Sequence, residues 1–159
     1  MYIFDSVSLI HAYRDDFPPK GKHSNFWNWL DNIGEQEGII IPEKVFEELS
    51  NKTDGLSKFL TKQPNLKNEP TINCLSILPQ VLSTYGELSD VDIEKLEKKA
   101  DPYVISHALE LNATVVSSEV SEPYKIGVNK KIPDICDTLD VSFESYPSFL
   151  WRMRGLYPE

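Results

Sequence analysis

Histidine and cysteine are scarce in this chain, three and two among 159 residues, and their scarcity excludes several chemistries. His11, His23 and His107 form no ligand pair at helical spacing. Cys74 and Cys136 stand far apart in dissimilar apolar contexts, without the paired spacing of a zinc site, and are expected as buried thiols. The seven glycines build no phosphate-cradling loop, and no Ser-His-Asp triad assembles from neighbouring positions. Bases are outnumbered, 16 Lys and Arg against 25 Asp and Glu for a net charge of −9. That balance ordinarily disfavours nucleic acid, because affinity for phosphate rests on Lys and Arg contacts. Long apolar runs are missing as well, and Met1-Tyr2-Ile3-Phe4-Asp5 has no basic leader. The expectation is a reducing, cytoplasmic setting without a membrane span.

What the chain does contain is a core. It is 40% hydrophobic with three Trp, seven Tyr and seven Phe, and a chain of this length buries about two-thirds of its unfolded surface. One domain spanning 1–159 is expected, with no internal repeat. The bases that exist are grouped: Lys20, Lys22 and His23; Lys125, Lys130 and Lys131; Arg152 and Arg154. Solvated charge is the ordinary reading of each group taken alone.

Hydrophobic periodicity sets the plan. Tyr2-Ile3-Phe4 is continuously apolar, as a strand covered on both faces is. Phe26, Leu30 and Ile33 repeat at helical spacing with Trp27 and Trp29 on the flanks, and Ile39-Ile40-Ile41 follows Gly38 as a strand. Pro42 and Glu43 open a helix carrying Val45, Phe46 and Leu49; Leu56, Phe59 and Leu60 form a further short stripe. Ile72, Leu75, Leu78, Leu82 and Tyr85 predict a helix that Pro79 should kink or interrupt. A charged, exposed helix capped by Ser89 runs to Lys99. Asp101-Pro102 begins a helix through Leu111, Thr114-Val115-Val116 is a strand, and Ile132-Pro133-Asp134 begins another helix. Val141-Ser142-Phe143 and Pro147 to Leu156 are the last strand and helix. Strands separated by helices predict an α/β fold, three layers with a central parallel sheet of four to five strands. Functional groups in such sheets collect at the carboxyl ends of the strands.

Acids stand at those ends. Asp5 closes the first strand, where it either caps the next helix or serves a site. At 100° per residue from Val45, Phe46 and Leu49, Glu48 lies at the margin of the buried arc and Glu47 faces solvent. Asp101 has the setting of an N-cap before a first-turn proline, yet shares a helical face with Val104, Ile105 and Ala108. Glu119 repeats the pattern of Asp5 after Val115-Val116, and Asp134 begins a later helix. Capping alone accounts poorly for so many acids, and like charges gathered at one sheet edge call for a cation or retained protons.

These segments resemble a PIN-domain ribonuclease, the family that includes toxins of VapC type. The resemblance rests on the order Tyr2-Ile3-Phe4-Asp5-Ser6-Val7-Ser8, Val45-Phe46-Glu47-Glu48-Leu49, Ala100-Asp101-Pro102-Tyr103-Val104 and Thr114-Val115-Val116-Ser117-Ser118-Glu119. Lys131-Ile132-Pro133-Asp134-Ile135-Cys136 and the Trp-rich first helix are similar to a PIN branch catalogued mainly as a domain of unknown function. The resemblance implies Mg²⁺ or Mn²⁺ held by clustered carboxylates that direct water at an RNA phosphate. Carried over, Asp5, Glu48, Asp101 and Glu119 are the catalytic acids, with Asp5, Asp101, Glu119 and Asp134 as metal ligands. It also implies an antitoxin protein as partner, and a homodimer. The chain departs from the family in having Val7 where Asn or Ser is frequent, with Ser6 or Ser8 as substitutes, and Glu119 in place of the commoner Asp.

The expectation is therefore a Mg/Mn-dependent endoribonuclease, the toxin of a toxin-antitoxin pair. Ser8 and Ser117 support the carboxylates, and Arg14, Lys130 and Lys131 contact the RNA backbone. Two alternatives stay open: a PIN-like module without useful catalysis that acts through a protein partner, and a phosphatase or phosphoacceptor domain using Asp5 as nucleophile. The last lacks a second Asp at position 7.

Overall fold

A computed structural model describes residues 1–18, 24–52, 55–63, 66–68 and 70–155. Lys20, Lys22 and His23, one of the basic groups, lie outside the described residues, as does Leu156. The first strand, β1 (Tyr2–Phe4), is the middle of the sheet, which is why its apolar residues do not alternate: Ile3 and Phe4 are both buried. On one side lie β2 (Ile39–Pro42) and the two-residue edge strand β3 (Lys67–Asn68), and on the other β4 (Thr114–Ser117) and β5 (Phe143–Ser145). All pairings are parallel, in the order β3-β2-β1-β4-β5. Tyr2 is level with Ile39 and Thr114, and Phe4 with Val116. Strand order reverses between β1 and β4, so the crevice at their carboxyl ends is where such a sheet opens to a ligand.

Helices cover both faces, giving the α/β three-layer architecture expected. In chain order they are α1 (Ser6–His11, continued by a π-helical turn over Ala12–Asp16), α2 (Ser24–Glu37), α3 (Glu43–Lys52), α4 (Leu56–Leu60) and α5 (Ile72–Ser83). Then follow α6 (Asp90–Glu97), α7 (Asp101–Leu111), α8 (Ile132–Thr138) and α9 (Tyr146–Met153). Capping chemistry sets several of these starts. Ser89 and Asp92 form a reciprocal capping box at α6, and Thr71 caps α5 by accepting from the Cys74 amide. Helix α7 packs along β1, β2 and β4 and against α5. No helix among the described residues is long and apolar enough to cross a membrane, and Cys74 and Cys136 are both free and buried.

Several elements differ from expectation. Pro79 lies inside α5, which runs through it. The buried arc of that helix is Cys74, Leu78, Val81 and Tyr85, while Ile72 and Leu75 are exposed. The apolar stripe misleads because α7 meets α5 one position out of phase with it. Trp27 is fully buried rather than flanking, with its indole N–H donating to the Phe17 carbonyl at 2.7 Å. Strand β5 begins at Phe143, two residues beyond the predicted Val141, and α9 starts at Tyr146 under a Ser145 cap.

Candidate functional site

Asp5 leaves the end of β1 in an extended conformation and caps α1, accepting from the Ser8 amide at 2.8 Å through Oδ1. Oδ2 accepts from Ser117 Oγ on β4 at 2.6 Å. The Ser117 hydroxyl in turn accepts from the Glu119 amide at 3.0 Å, so its proton is directed at Asp5. The Ser117–Asp5 bond thus ties the end of β4 to the loop after β1, and one local bond on each side steadies it. Asp5 is 2% exposed, and burial raises its pKa, opposed by the Ser117 and Ser8 bonds, while the charge of Glu119 raises it further. Ser8 acts through its backbone; its hydroxyl donates to the Val116 carbonyl at 3.3 Å.

Asp101 departs from the cap its sequence suggests. Ala100 is the N-cap, in helical conformation and without a side-chain cap bond, and Asp101 is the first residue of α7. The capping role falls to Glu48 of α3, whose Oε2 accepts from the Ala100 amide at 3.2 Å. Glu47 is exposed, paired with Lys44 at 2.7 Å, and with that lysine it also lines the cleft, which helical phase did not predict. Half-buried Asp101 therefore has no hydrogen bond of its own among the described residues. Burial, then the charges of Glu119 and Glu48, push its carboxyl up to about 7, with Lys99 opposing and Asp5 adding.

Glu119 spends Oε2 on the Ile132 amide at 2.9 Å, capping α8, and Oε1 lies 3.5 Å from Lys131 Nζ. Asp134 is not brought to this place. Its carboxylate accepts from the Ser121 hydroxyl and, at 2.9 Å, from the Glu122 amide, and so pins the loop after β4 to α8.

Asp5, Glu48, Asp101 and Glu119 line one cleft of about 670 Å³ outside the carboxyl ends of β1 and β4, together with Ser6 and Val7. Among the described residues no three of these carboxylates bring an oxygen each within 4.8 Å of one another; mutual repulsion opposes a closer approach. Three lysines that the sequence reading did not select, Lys44, Lys98 and Lys99, form part of the lining. Of the bases it did select, Lys130 donates to the Thr84 carbonyl at 2.6 Å, Lys131 sits between Glu119 and Glu122, and Arg14 is exposed on the π-helical turn. None of the three lines the cleft. Two buried hydroxyls bear on the site: Ser6, expected as a substitute for the residue at position 7, and Tyr85, which was missed. Among the described residues Ser6 Oγ and Tyr85 OH have no hydrogen-bond partner, and the pKa of Tyr85 is raised by burial and by the charges of Asp101 and Glu119. Tyr85 was legible only as one member of an apolar stripe; no local signal marks its hydroxyl.

A scan against family models matches residues 2–154, nearly the whole length. The chain belongs to the family described as domain of unknown function DUF4411. No curated protein matches it. In this DUF4411 chain the cleft acids come from four stretches separated by most of the sequence, each held differently: Asp5 by a hydroxyl and an amide, Glu48 and Glu119 by helix amides, Asp101 by none.

Proposed function

We propose that this protein is a metal-dependent endoribonuclease whose cleft acids hold Mg²⁺ or Mn²⁺, as its resemblance to PIN-domain ribonucleases implies. The observation that carries the reading is the convergence of Asp5, Glu48, Asp101 and Glu119 on one cleft at the strand-order reversal. The donor set fits a hard cation. It is all oxygen, and the Asp101 carboxylate, without a hydrogen bond among the described residues and crowded by Glu119 and Glu48, is the kind of group a divalent ion relieves. When bound, such an ion supplies acidity to water and offsets charge on a phosphodiester leaving oxygen.

The protein's own part is positioning. Ser117 fixes the plane of the Asp5 carboxylate, Glu48 sets the start of α7 and with it Asp101, and Lys98 and Lys99 offer the phosphate backbone its positive contacts at the rim. Ser6, with an unpartnered hydroxyl beside Val7, takes the supporting role that the family often gives to Asn or Ser. A cytoplasmic toxin held by an antitoxin, working as a homodimer, is the setting in which this activity belongs. Incubation of purified protein with structured and unstructured RNA in Mn²⁺ tests the proposal. Asp5→Asn and Asp101→Asn should each lose at least about 100-fold in cleavage rate; cleavage that persists at the wild-type rate in both variants would refute it.

A second reading, a PIN-like module that acts through a protein partner, draws on Val7 at the cleft wall and on Glu48 and Glu119 each spending an oxygen on a helix amide. Calorimetric titration with Mn²⁺ separates the two: saturable binding abolished by Asp101→Asn supports the nuclease, and no saturable binding supports the module.

A further inference from the structure

At the far end of α7 from Asp101 stands a second group of ligand-type side chains. Cys74 in the first turn of α5 meets His107 and Glu110 on α7, and one ligand atom from each lies within 4.8 Å of the others. Cys74 and His107 are buried, 0% and 1% exposed. Both ring nitrogens of His107 and Oε2 of Glu110 are buried without a hydrogen-bond partner among the described residues. Unsatisfied buried polar atoms are costly, and three of them on two residues that each bring a ligand atom close to one thiol is an arrangement that apolar packing alone does not explain. The remaining oxygen of Glu110 is fixed: Oε1 accepts from the Thr71 hydroxyl, whose oxygen also caps the Cys74 amide. One threonine thus orients two of the three groups, as outer-shell residues do around a metal.

We infer that Cys74, His107 and Glu110 form a second metal site, for zinc or a similar borderline-soft divalent cation, that fastens α5 to α7. The donor set of one sulfur, one imidazole nitrogen and one carboxylate oxygen suits such an ion and not magnesium, which takes oxygen ligands. Three protein ligands leave a fourth tetrahedral position for water on the side of exposed Thr71 and half-buried Glu110. His107 and Glu110 are three residues apart on one helix, where side chains share a face. The cleft acid on the same helix, Asp101, begins it nine residues before Glu110, about 13 Å away along the axis. The two sites are therefore separate, and this one does not depend on the nuclease reading.

Titration of the full-length, chelator-stripped protein with Co²⁺ tests the inference. One equivalent should bind with a thiolate-to-cobalt charge-transfer band in the near ultraviolet and the strong visible bands of tetrahedral cobalt, both displaced by one equivalent of Zn²⁺. Cys74→Ser should abolish the charge-transfer band, and Glu110→Gln, a half-buried position where the fold is least at risk, should weaken binding at least about tenfold. Asp101→Asn should leave the band and its affinity unchanged. Absence of the band in folded wild-type protein, its survival in Cys74→Ser, or an unchanged affinity in Glu110→Gln would each overturn the assignment.

Discussion

Asp101 concentrates the conflict between stability and chemistry in this molecule. Folded, it keeps its proton up to about 7, against 3.8 for an ordinary aspartate. Between those values the folded chain binds more protons than the unfolded one, so stability is complete below the lower value and is lost as pH rises through the upper. Asp101→Asn should flatten that decline and gain about 1–3 kcal/mol at pH 8 while gaining little at pH 4, read from denaturant midpoints at the two pH values. A variant no more stable than wild type at pH 8 would contradict the crowding described. Saturating Mn²⁺ should recover about 3 kcal/mol in the wild type and markedly less in the variant. At Ser117 the expectation runs the other way. Ser117→Ala leaves an Asp5 oxygen buried without its donor and should cost about 1–3 kcal/mol.

Among the elements, α7 shows how one helix is started by another. Glu48→Gln retains an oxygen for the Ala100 amide and should stay within about 0.5 kcal/mol of wild-type stability, whereas Glu48→Ala should cost about 1–2 kcal/mol; equal stability of the two would show that the 3.2 Å contact contributes nothing. In α5, Pro79 sits exposed in the helix interior, lacking an amide and crowding the preceding turn. Pro79→Ala should raise the denaturation midpoint, by about 1–3 kcal/mol once the freer unfolded chain is set against the better helix. Local pattern made much of this level legible. The phase of Val45, Phe46 and Leu49 made Glu48 the less exposed of the two glutamates, although Glu47 reaches the cleft as well, and Asp101-Pro102 marked the start of α7. It failed where a partner decides. Ile72 and Leu75 look like core until α7 is placed against Cys74 and Leu78, and Asp134 looks like a ligand until Ser121 and Glu122 close on it. The meeting of Cys74 with His107 links positions 33 residues apart on two helices, beyond the reach of any spacing rule.

For the molecule as a whole, the sheet was readable because β1 and the Val115-Val116 pair of β4 are apolar and an acid follows each strand within two residues. The charge placement was not, since Lys44, Lys98 and Lys99 reach the cleft only through the packing of α3 and the segment after α6. With a net charge of −9, the proposed RNA binding would rest on these few bases. Lys98→Ala with Lys99→Ala should weaken RNA binding similarly for all sequences and reduce the slope of log K against log salt by up to about 2, measured by fluorescence anisotropy in Ca²⁺ to suspend cleavage. An unchanged slope would move the RNA path elsewhere. Finally, Glu119 is steadied by the Ile132 amide, while its counterpart Asp5 is delivered by the first strand. A chain still being synthesised therefore carries an incomplete cleft until Glu119 and the start of α8 that steadies it have emerged. Truncation anywhere upstream of that point should leave the cleft without its last acid in place, however well the earlier segments fold.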